Sequence, residues 1–88
     1  MNIGEAAKLV TSEDYKERFV GEYAELRIRH DRLKNMLEKW KENNLPGCFV
    51  PVCSYDLFDR QLQTMHELLV ILEERARIEE VKLPKVEV

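Results

Sequence analysis

Apolar residues recur in alternating steps of four and three along the first half of the chain, which is the spacing of an amphipathic helix. No proline interrupts this region, and Gly21 is its one interior break. A cluster of stop signals follows from Asn43 to Gly47. The pattern predicts a first helix over residues 12–43, capped by Thr11 or Ser12. Its apolar stripe consists of Phe19, Tyr23, Leu26, His30, Leu33, Leu37 and Trp40.

The second half of the chain carries a matching helical pattern. Ser54 is a suitable N-cap, and the periodicity predicts a second helix over residues 54–80. Residues 44–53 then form the loop, and the two stripes favour an antiparallel two-helix hairpin. The stripe that faces the first helix consists of Phe58, Leu62, Met65, Leu69, Leu72 and Ala76.

A second stripe beside it makes the second helix apolar over a wider arc than one neighbouring helix covers. It consists of Leu57, Gln61, Thr64, Leu68, Ile71, Arg75 and Ile78. Contiguous apolar surface of this kind marks association, and identical chains are the commonest partners. We therefore predict an all-α fold, a helical hairpin assembled as a homo-oligomeric bundle. The expected oligomer interface contains Leu57, Leu68, Ile71 and Ile78.

The two ends of the chain carry weaker patterns. Residues 1–11 contain a brief apolar run and are predicted to form a short helix or an arm. Residues 81–88 alternate and contain Pro84, which favours an extended tail. With 88 residues in total, the chain is expected to form a single domain over 1–88.

Charge and composition narrow the classes of function. The net charge of −3 argues against a protein that coats DNA, because phosphate neutralisation requires a basic excess. No signal peptide is recognisable and no apolar run approaches the roughly 18 residues of a membrane span, so we expect a cytoplasmic protein that does not enter membranes. Cys48 and Cys53 are most simply free thiols, with a disulfide or a metal as less favoured alternatives.

The residues offer little for catalysis. His30 and His66 are the only histidines, and neither belongs to a zinc motif or to a Ser/His/Asp arrangement. A polar residue such as His30 on a helical stripe more often fixes the register of packing than it binds a ligand. We therefore expect no enzyme, no cofactor and no metal site.

A basic cluster on the first helix is the main candidate for binding. Arg27 and Arg29 belong to it, and guanidinium groups bind phosphates through paired hydrogen bonds. The simpler interpretation is a solvated helix face whose charges are paired with nearby carboxylates. Tyr15 could stack on a base, and one edge of the second helix supplies further polar groups. This edge consists of Arg60, Gln61 and Thr64.

Four runs of the sequence resemble short helical-hairpin proteins of tailed and crAss-like phages, over about residues 15–83. The runs are 22–26, 32–37, 61–65 and 72–76. That group is similar in size and layout to phage sponges that oppose CBASS and Thoeris immunity by sequestering cyclic nucleotide signals without cleaving them. The resemblance implies a homo-oligomer, often a hexamer, with ligand pockets between protomers. It also matches Arg27 or Arg29 to the basic residue of their first helix, and Arg60 with Thr64 to their second-helix polar edge.

These observations lead to one principal hypothesis and two alternatives. The principal one is a phage anti-defence protein that sequesters a cyclic oligonucleotide or a cyclic ADP-ribose type of signal. The first alternative is a coiled-coil protein-interaction module, such as an inhibitor of a host protein, that uses the second stripe. The second is nucleic-acid binding through the basic cluster, which the acidic balance disfavours.

Overall fold

The computed structural model describes residues 1–47 and 51–88. Three helices follow one another in this part of the chain: α1 (Ile3–Val10), α2 (Tyr15–Lys41) and α3 (Tyr55–Glu79). None of the described residues lies in a strand, so the all-α prediction is confirmed for them. Both long helices form where the heptad-like spacing predicted them, with ends a few residues inside the expected bounds.

The N-terminal segment is a true helix rather than an arm. Asn2 accepts a hydrogen bond from the backbone N–H of Glu5, and the Glu5 carboxylate accepts one from the N–H of Asn2. This reciprocal capping box satisfies two backbone donors that a short helix would otherwise leave free. Ala6 is fully buried against the rest of the chain. Helix α1 is therefore packed against the rest of the chain through Ala6.

Helix α1 lies very close to the backbone of α2 at Gly21. A Cβ atom at this position would lie 2.7 Å from the backbone N of Val10 and 2.8 Å from the carbonyl O of Ala6. Real Cβ atoms do not come this close to backbone, so a side chain here would push the two helices apart. The glycine that interrupts the apolar stripe is thus what lets α1 pack onto α2.

The start of α2 differs from the sequence prediction. Asp14, not Thr11 or Ser12, is the N-cap: its carboxylate accepts hydrogen bonds from the backbone N–H groups of Lys16 and Glu17. Asp and Ser are equally good caps, so propensity alone does not choose between them. The Ser12 hydroxyl instead accepts a hydrogen bond from the N–H of Asp14 and donates one to the Glu17 carboxylate. Ser54, in contrast, caps α3 as predicted, at 3.2 Å from the N–H of Leu57.

The two long helices contact each other in opposite chain directions. Tyr15 at the start of α2 meets Glu79 at the end of α3, while Trp40 near the end of α2 packs on Tyr55 at the start of α3. Side chains from all three helices form the buried apolar core. It consists of Ala6, Phe19, Tyr23, Ala24, Ile28, Leu37, Leu69 and Ala76.

The C-terminal residues return toward the N-terminus. Glu80 ends α3 in the left-handed conformation (φ 57°), which turns the chain, and residues 81–88 then continue without helix or strand. The terminal ammonium of Met1 donates to the carbonyl of Lys85 at 2.7 Å, and the N–H of Glu87 donates to the carbonyl of Met1 at 2.8 Å. The predicted tail therefore ties the two ends of the chain together.

Candidate ligand-binding site

Tyr15 is held at the junction between the first turn of α2 and the last turns of α3. Its hydroxyl donates a hydrogen bond to Glu79 Oε1 at 2.8 Å and accepts one from Arg75 Nη2, also at 2.8 Å. About half of the tyrosine surface remains exposed. The ring is thus fixed in place by two hydrogen bonds while part of it still faces solvent.

Arg75 completes a cluster with Tyr15, Phe19 and Glu79, which we call the Tyr15–Arg75 cluster. The guanidinium carbon lies 4.8 Å from the centroid of the buried Phe19 ring, a cation–π contact. Its Nε donates to Glu79 Oε2 at 3.3 Å, and its side chain is 47% exposed. The cluster therefore presents a positioned guanidinium and an exposed aromatic ring side by side, which are the groups that bind a phosphate and stack on a base.

Tyr15 is one of the ligand-binding residues predicted from the sequence, whereas Arg75 was predicted only as a member of the second stripe of α3. The contact between them joins residues 60 positions apart in the chain. The antiparallel order of the two helices was the available signal, because it brings the start of the first helix level with the end of the second. Tyr15 and Arg75 could have been paired on that ground.

Arg27 and Arg29, the predicted basic pair on α2, are both engaged with carboxylates. Arg27 Nε lies 3.5 Å from Asp31 Oδ1, and its Nη1 lies 3.9 Å from Glu73 Oε2 on α3. Arg29 Nη2 lies 2.9 Å from Glu25 Oε1 on the same helix. The arginines remain partly exposed, Arg29 more so than Arg27, and such surface pairs are weak enough to exchange partners.

Arg60, Gln61 and Thr64 are all exposed on α3. The Thr64 hydroxyl donates to the backbone carbonyl of Arg60 at 3.0 Å, a bond within the helix. Arg27 contacts Glu73 on α3. Glu73 lies 13 residues after Arg60, so Arg27 and Arg60 are separated by about 20 Å along the axis of α3. Within one chain, the predicted α2 and α3 residues therefore do not meet in a single pocket.

A separate groove lies between α2 and α3 around the two histidines. His30 is almost fully buried, and its Nδ1 lies 2.9 Å from Asp31 Oδ1. The ring of His66 lies 5.9 Å from that of His30, measured between centroids. The groove has a volume of about 390 Å³. It is lined by His30, Lys34, Leu62, Gln63, His66 and Glu67.

Tyr23 forms the buried polar contact between the long helices. Its hydroxyl donates to Glu73 Oε2 at 3.0 Å. Burial, together with the hydrogen bond to the Glu73 carboxylate, raises the pKa of the Tyr23 phenol above its ordinary value of 10.0. This tyrosine is a structural element of the α2–α3 contact rather than part of the exposed cluster.

The predicted interface residues of α3 remain uncovered in the folded chain. Leu57, Leu68, Ile71 and Ile78 are between 45% and 66% exposed. Neither α1 nor the tail shields them. The face that the sequence marked for association is therefore still available to a partner.

Three further predictions concern metals, thiols and membranes. In the described ranges 1–47 and 51–88, no group of three or more His, Cys, Asp or Glu could hold a metal ion. Cys53 is exposed and unpaired there, while Cys48 lies outside the described residues. Among the helices that the structure describes, none combines the length and the apolar character needed to cross a bilayer.

Comparison with known proteins gives one family. Neither a curated protein nor a solved structure matches the chain. The model of the Sequestin family matches residues 13–78, which include all of α2 and all of α3 except its last residue, Glu79, and leave α1 and the C-terminal tail outside. The matched span thus contains every residue of the Tyr15–Arg75 cluster except Glu79, together with the other predicted ligand-binding residues and the exposed stripe of α3. With three quarters of its length matched, the chain belongs to the Sequestin family.

Proposed function

We propose that this protein is a phage anti-defence protein that binds and sequesters a cyclic nucleotide immune signal without cleaving it. The family name denotes sequestration, and the family match over both long helices is the observation that carries the proposal. The signal would be a cyclic oligonucleotide or a molecule of the cyclic ADP-ribose type. Both classes combine phosphate charge with a planar base.

The Tyr15–Arg75 cluster supplies groups for both parts of such a ligand. Arg75 is held over Phe19 and against Tyr15, so little side-chain freedom remains to be lost when a phosphate binds. The exposed part of the Tyr15 ring can stack on a base, an interaction worth about 1–3 kcal/mol. Glu79 balances the arginine when no ligand is bound.

The predicted residues on the middle of the two helices enter the proposal through self-association. Arg27 and Arg60 lie about 20 Å apart along the helix direction. They can reach one ligand only if different protomers provide them, which fits the homo-oligomers, often hexamers, of the sponges that this sequence resembles. Arg29, Gln61 and Thr64 would line the same shared pockets.

The proposal is tested by calorimetric titration of protein whose mass in solution is known. The panel contains cyclic dinucleotides, cyclic trinucleotides and cyclic ADP-ribose isomers. We expect submicromolar binding of at least one member and recovery of that ligand intact, by mass spectrometry, after the protein is denatured. Binding of no member would overturn the proposal, and recovery of a hydrolysed product would replace it with an enzymatic function.

Variants then assign the site. Arg75→Gln and Tyr15→Leu should each weaken binding of the identified ligand by about tenfold or more. Arg77→Gln is the matched control, because Arg77 lies two residues away on the opposite face of α3, where it pairs with Glu74. Unchanged affinity in Arg27→Ala and Arg60→Ala would remove those two residues from the site.

The exposed stripe of α3 favours a second candidate, a protein-interaction module that inhibits a host protein. This function needs no small ligand. A pull-down that recovers one host protein at fixed stoichiometry, from a chain that binds no member of the nucleotide panel, would favour it over sequestration.

A further inference from the structure

The exposed stripe of α3 extends over almost the whole helix. From Leu57 to Ile78 it covers 22 residues, an axial rise of about 32 Å. At 100° per residue its members fall within an arc of about 100°, next to the arc that packs against α2. Four large apolar side chains stand at its two ends and near its centre, each about half exposed or more.

The order of residues along this stripe reads nearly the same in both directions. With Leu68 as the centre, Leu57 lies 11 residues before it and Ile78 lies 10 after it, while Gln61 and Arg75 are each seven residues away. If a second copy is related by a two-fold axis near Leu68, Leu57 of each copy therefore faces Ile78 of the other. Thr64 would then face Ile71, so the inner positions also match.

Arg75 does not place a charge in the middle of this surface. Its guanidinium turns aside to Tyr15 and Glu79, toward α2. Only its aliphatic stem remains on the stripe, where it covers apolar surface as long basic side chains commonly do. Gln61 of a second copy would lie against this stem and within reach of the guanidinium.

Charges at the edge of the stripe fit the same register. Arg60, Glu67 and Glu74 follow one another at heptad spacing along the edge that faces away from α2. In a two-fold antiparallel pair the same edges of both helices are adjacent. Arg60 then approaches Glu74 of the second copy at two equivalent places, where it would share that carboxylate with Arg77, which already binds it within the chain. In a parallel pair this edge would instead lie beside the opposite edge of the second copy, so Arg60 and Glu74 would not meet.

We infer that two copies of this chain pair antiparallel through α3, about a two-fold axis at Leu68. The near-palindromic stripe and the Arg60–Glu74 charge complementarity favour a second copy of this chain as the partner, with its α3 antiparallel. Glu67 is the one unfavourable element, since it meets its own copy near the axis. The inference concerns a protein surface and does not depend on any ligand.

Cysteine cross-linking tests the orientation. In a Cys48→Ser, Cys53→Ser background, Leu57→Cys and Ile78→Cys are purified separately, one with a mass tag, then mixed and oxidised. Antiparallel pairing predicts the mixed disulfide as the main product, with little cross-linking of either variant alone. Val70→Cys is the matched control, because Val70 is half exposed on α3 but outside the stripe. Homodisulfides of each variant, or equal yields from Val70→Cys, would overturn the inference.

Sedimentation of the native protein and three variants tests the interface itself. We expect a concentration-dependent dimer or a larger assembly built from it. Leu68→Glu should weaken association by about tenfold or more, because it buries an unpaired charge, whereas Val70→Glu should not. Glu67→Gln should tighten association by about twofold by removing the like-charge contact.

Helical circular dichroism checks that each variant folds. A chain that stays monomeric at high concentration, or equal effects of Leu68→Glu and Val70→Glu, would contradict the inference whether or not a nucleotide binds.

Discussion

The hydroxyl of Tyr23 donates a hydrogen bond to Glu73 Oε2 across the contact between α2 and α3, at 3.0 Å. Tyr23 is 6% exposed, while the Glu73 side chain is 45% exposed. The bond therefore joins a buried phenol to a carboxylate at the edge of the core. The bond should therefore contribute to the free energy of unfolding at neutral pH, and this contribution should change at alkaline pH.

Tyr23→Phe should lower the free energy of unfolding by about 1 kcal/mol at pH 7, the usual contribution of such a bond. The pKa of Tyr23 is raised in the folded state, so its protonated form is favoured by folding. That contribution is complete below the ordinary pKa of 10.0 and is lost as the pH rises through the folded value. The difference between wild type and Tyr23→Phe, measured by urea unfolding, should therefore shrink above pH 10.

Glu73→Gln separates the causes of this pH dependence. The variant retains an acceptor but removes the charge that helps to raise the Tyr23 pKa. Burial, which is the larger cause, remains. The loss of unfolding free energy at alkaline pH should therefore be smaller in Glu73→Gln than in the wild type, but still present. If the pH dependence of stability is the same in the wild type, Tyr23→Phe and Glu73→Gln, Tyr23 does not titrate as described.

Gly21→Ala should destabilise the protein, although alanine is intrinsically about 1 kcal/mol better than glycine within a helix. The added Cβ would lie 2.7 Å from the Val10 backbone N and 2.8 Å from the Ala6 carbonyl O. Helix α1 must then move away. Hydrogen exchange should show protection lost selectively in Ile3–Val10. Gly47→Ala is the matched control, since no atom lies within 4 Å of a Cβ built there. Increased stability of Gly21→Ala would mean that α1 does not pack at this position.

Asp14→Ala should cost about 1 kcal/mol in thermal or urea unfolding, because it removes the acceptor that caps α2. Thr11→Ala provides the comparison. The Thr11 hydroxyl donates to the Lys8 carbonyl at the end of α1 and does not cap α2. A larger loss for Thr11→Ala than for Asp14→Ala would restore the cap position that the sequence alone suggested.

Leu69 and Leu68 are adjacent in sequence but differ in environment, since Leu69 is 1% exposed and Leu68 is 45% exposed. Leu69→Ala should cost about 3 kcal/mol by opening a cavity in the core, at every protein concentration. Leu68→Ala should have a small effect in dilute solution and a growing one as the concentration rises, if α3 pairs with a second copy. Unfolding curves at several concentrations distinguish the two behaviours.

Helical periodicity predicted much of this fold from local information. The two long helices, the Ser54 cap and the stripe left exposed on α3 follow from residue spacing, because a helix places every third or fourth residue on one face whatever surrounds it. The apolar stripe predicted for α2 omits one residue of the core. Ile28 is fully buried, but it lies between Arg27 and Arg29, so the sequence predicted a solvent-exposed helix face at this position.

The candidate site was predicted only in part. Tyr15 was identified because its aromatic ring could stack on a base, but Arg75 acquires its role from a hydrogen bond to a residue 60 positions earlier. Arg27 and Arg29 were identified as a basic cluster, and their carboxylate partners include Glu73 from the other helix. Side-chain pairing across helices depends on register and rotation, which a one-dimensional pattern does not contain.

The sequence by itself determined the helices, their amphipathic faces and the surplus apolar surface of α3, because these depend on residue spacing within each helix. Only the tertiary structure decided that α1 packs against Gly21, that α2 starts after Asp14 and that Arg75 lies between Phe19 and Tyr15. The packing at Gly21 and the placement of Arg75 depend on the approach of separate helices, and the start of α2 depends on which of several adjacent polar residues caps it. Steric contact and hydrogen-bond geometry fix such approaches to within a few tenths of an ångström, and local propensity does not.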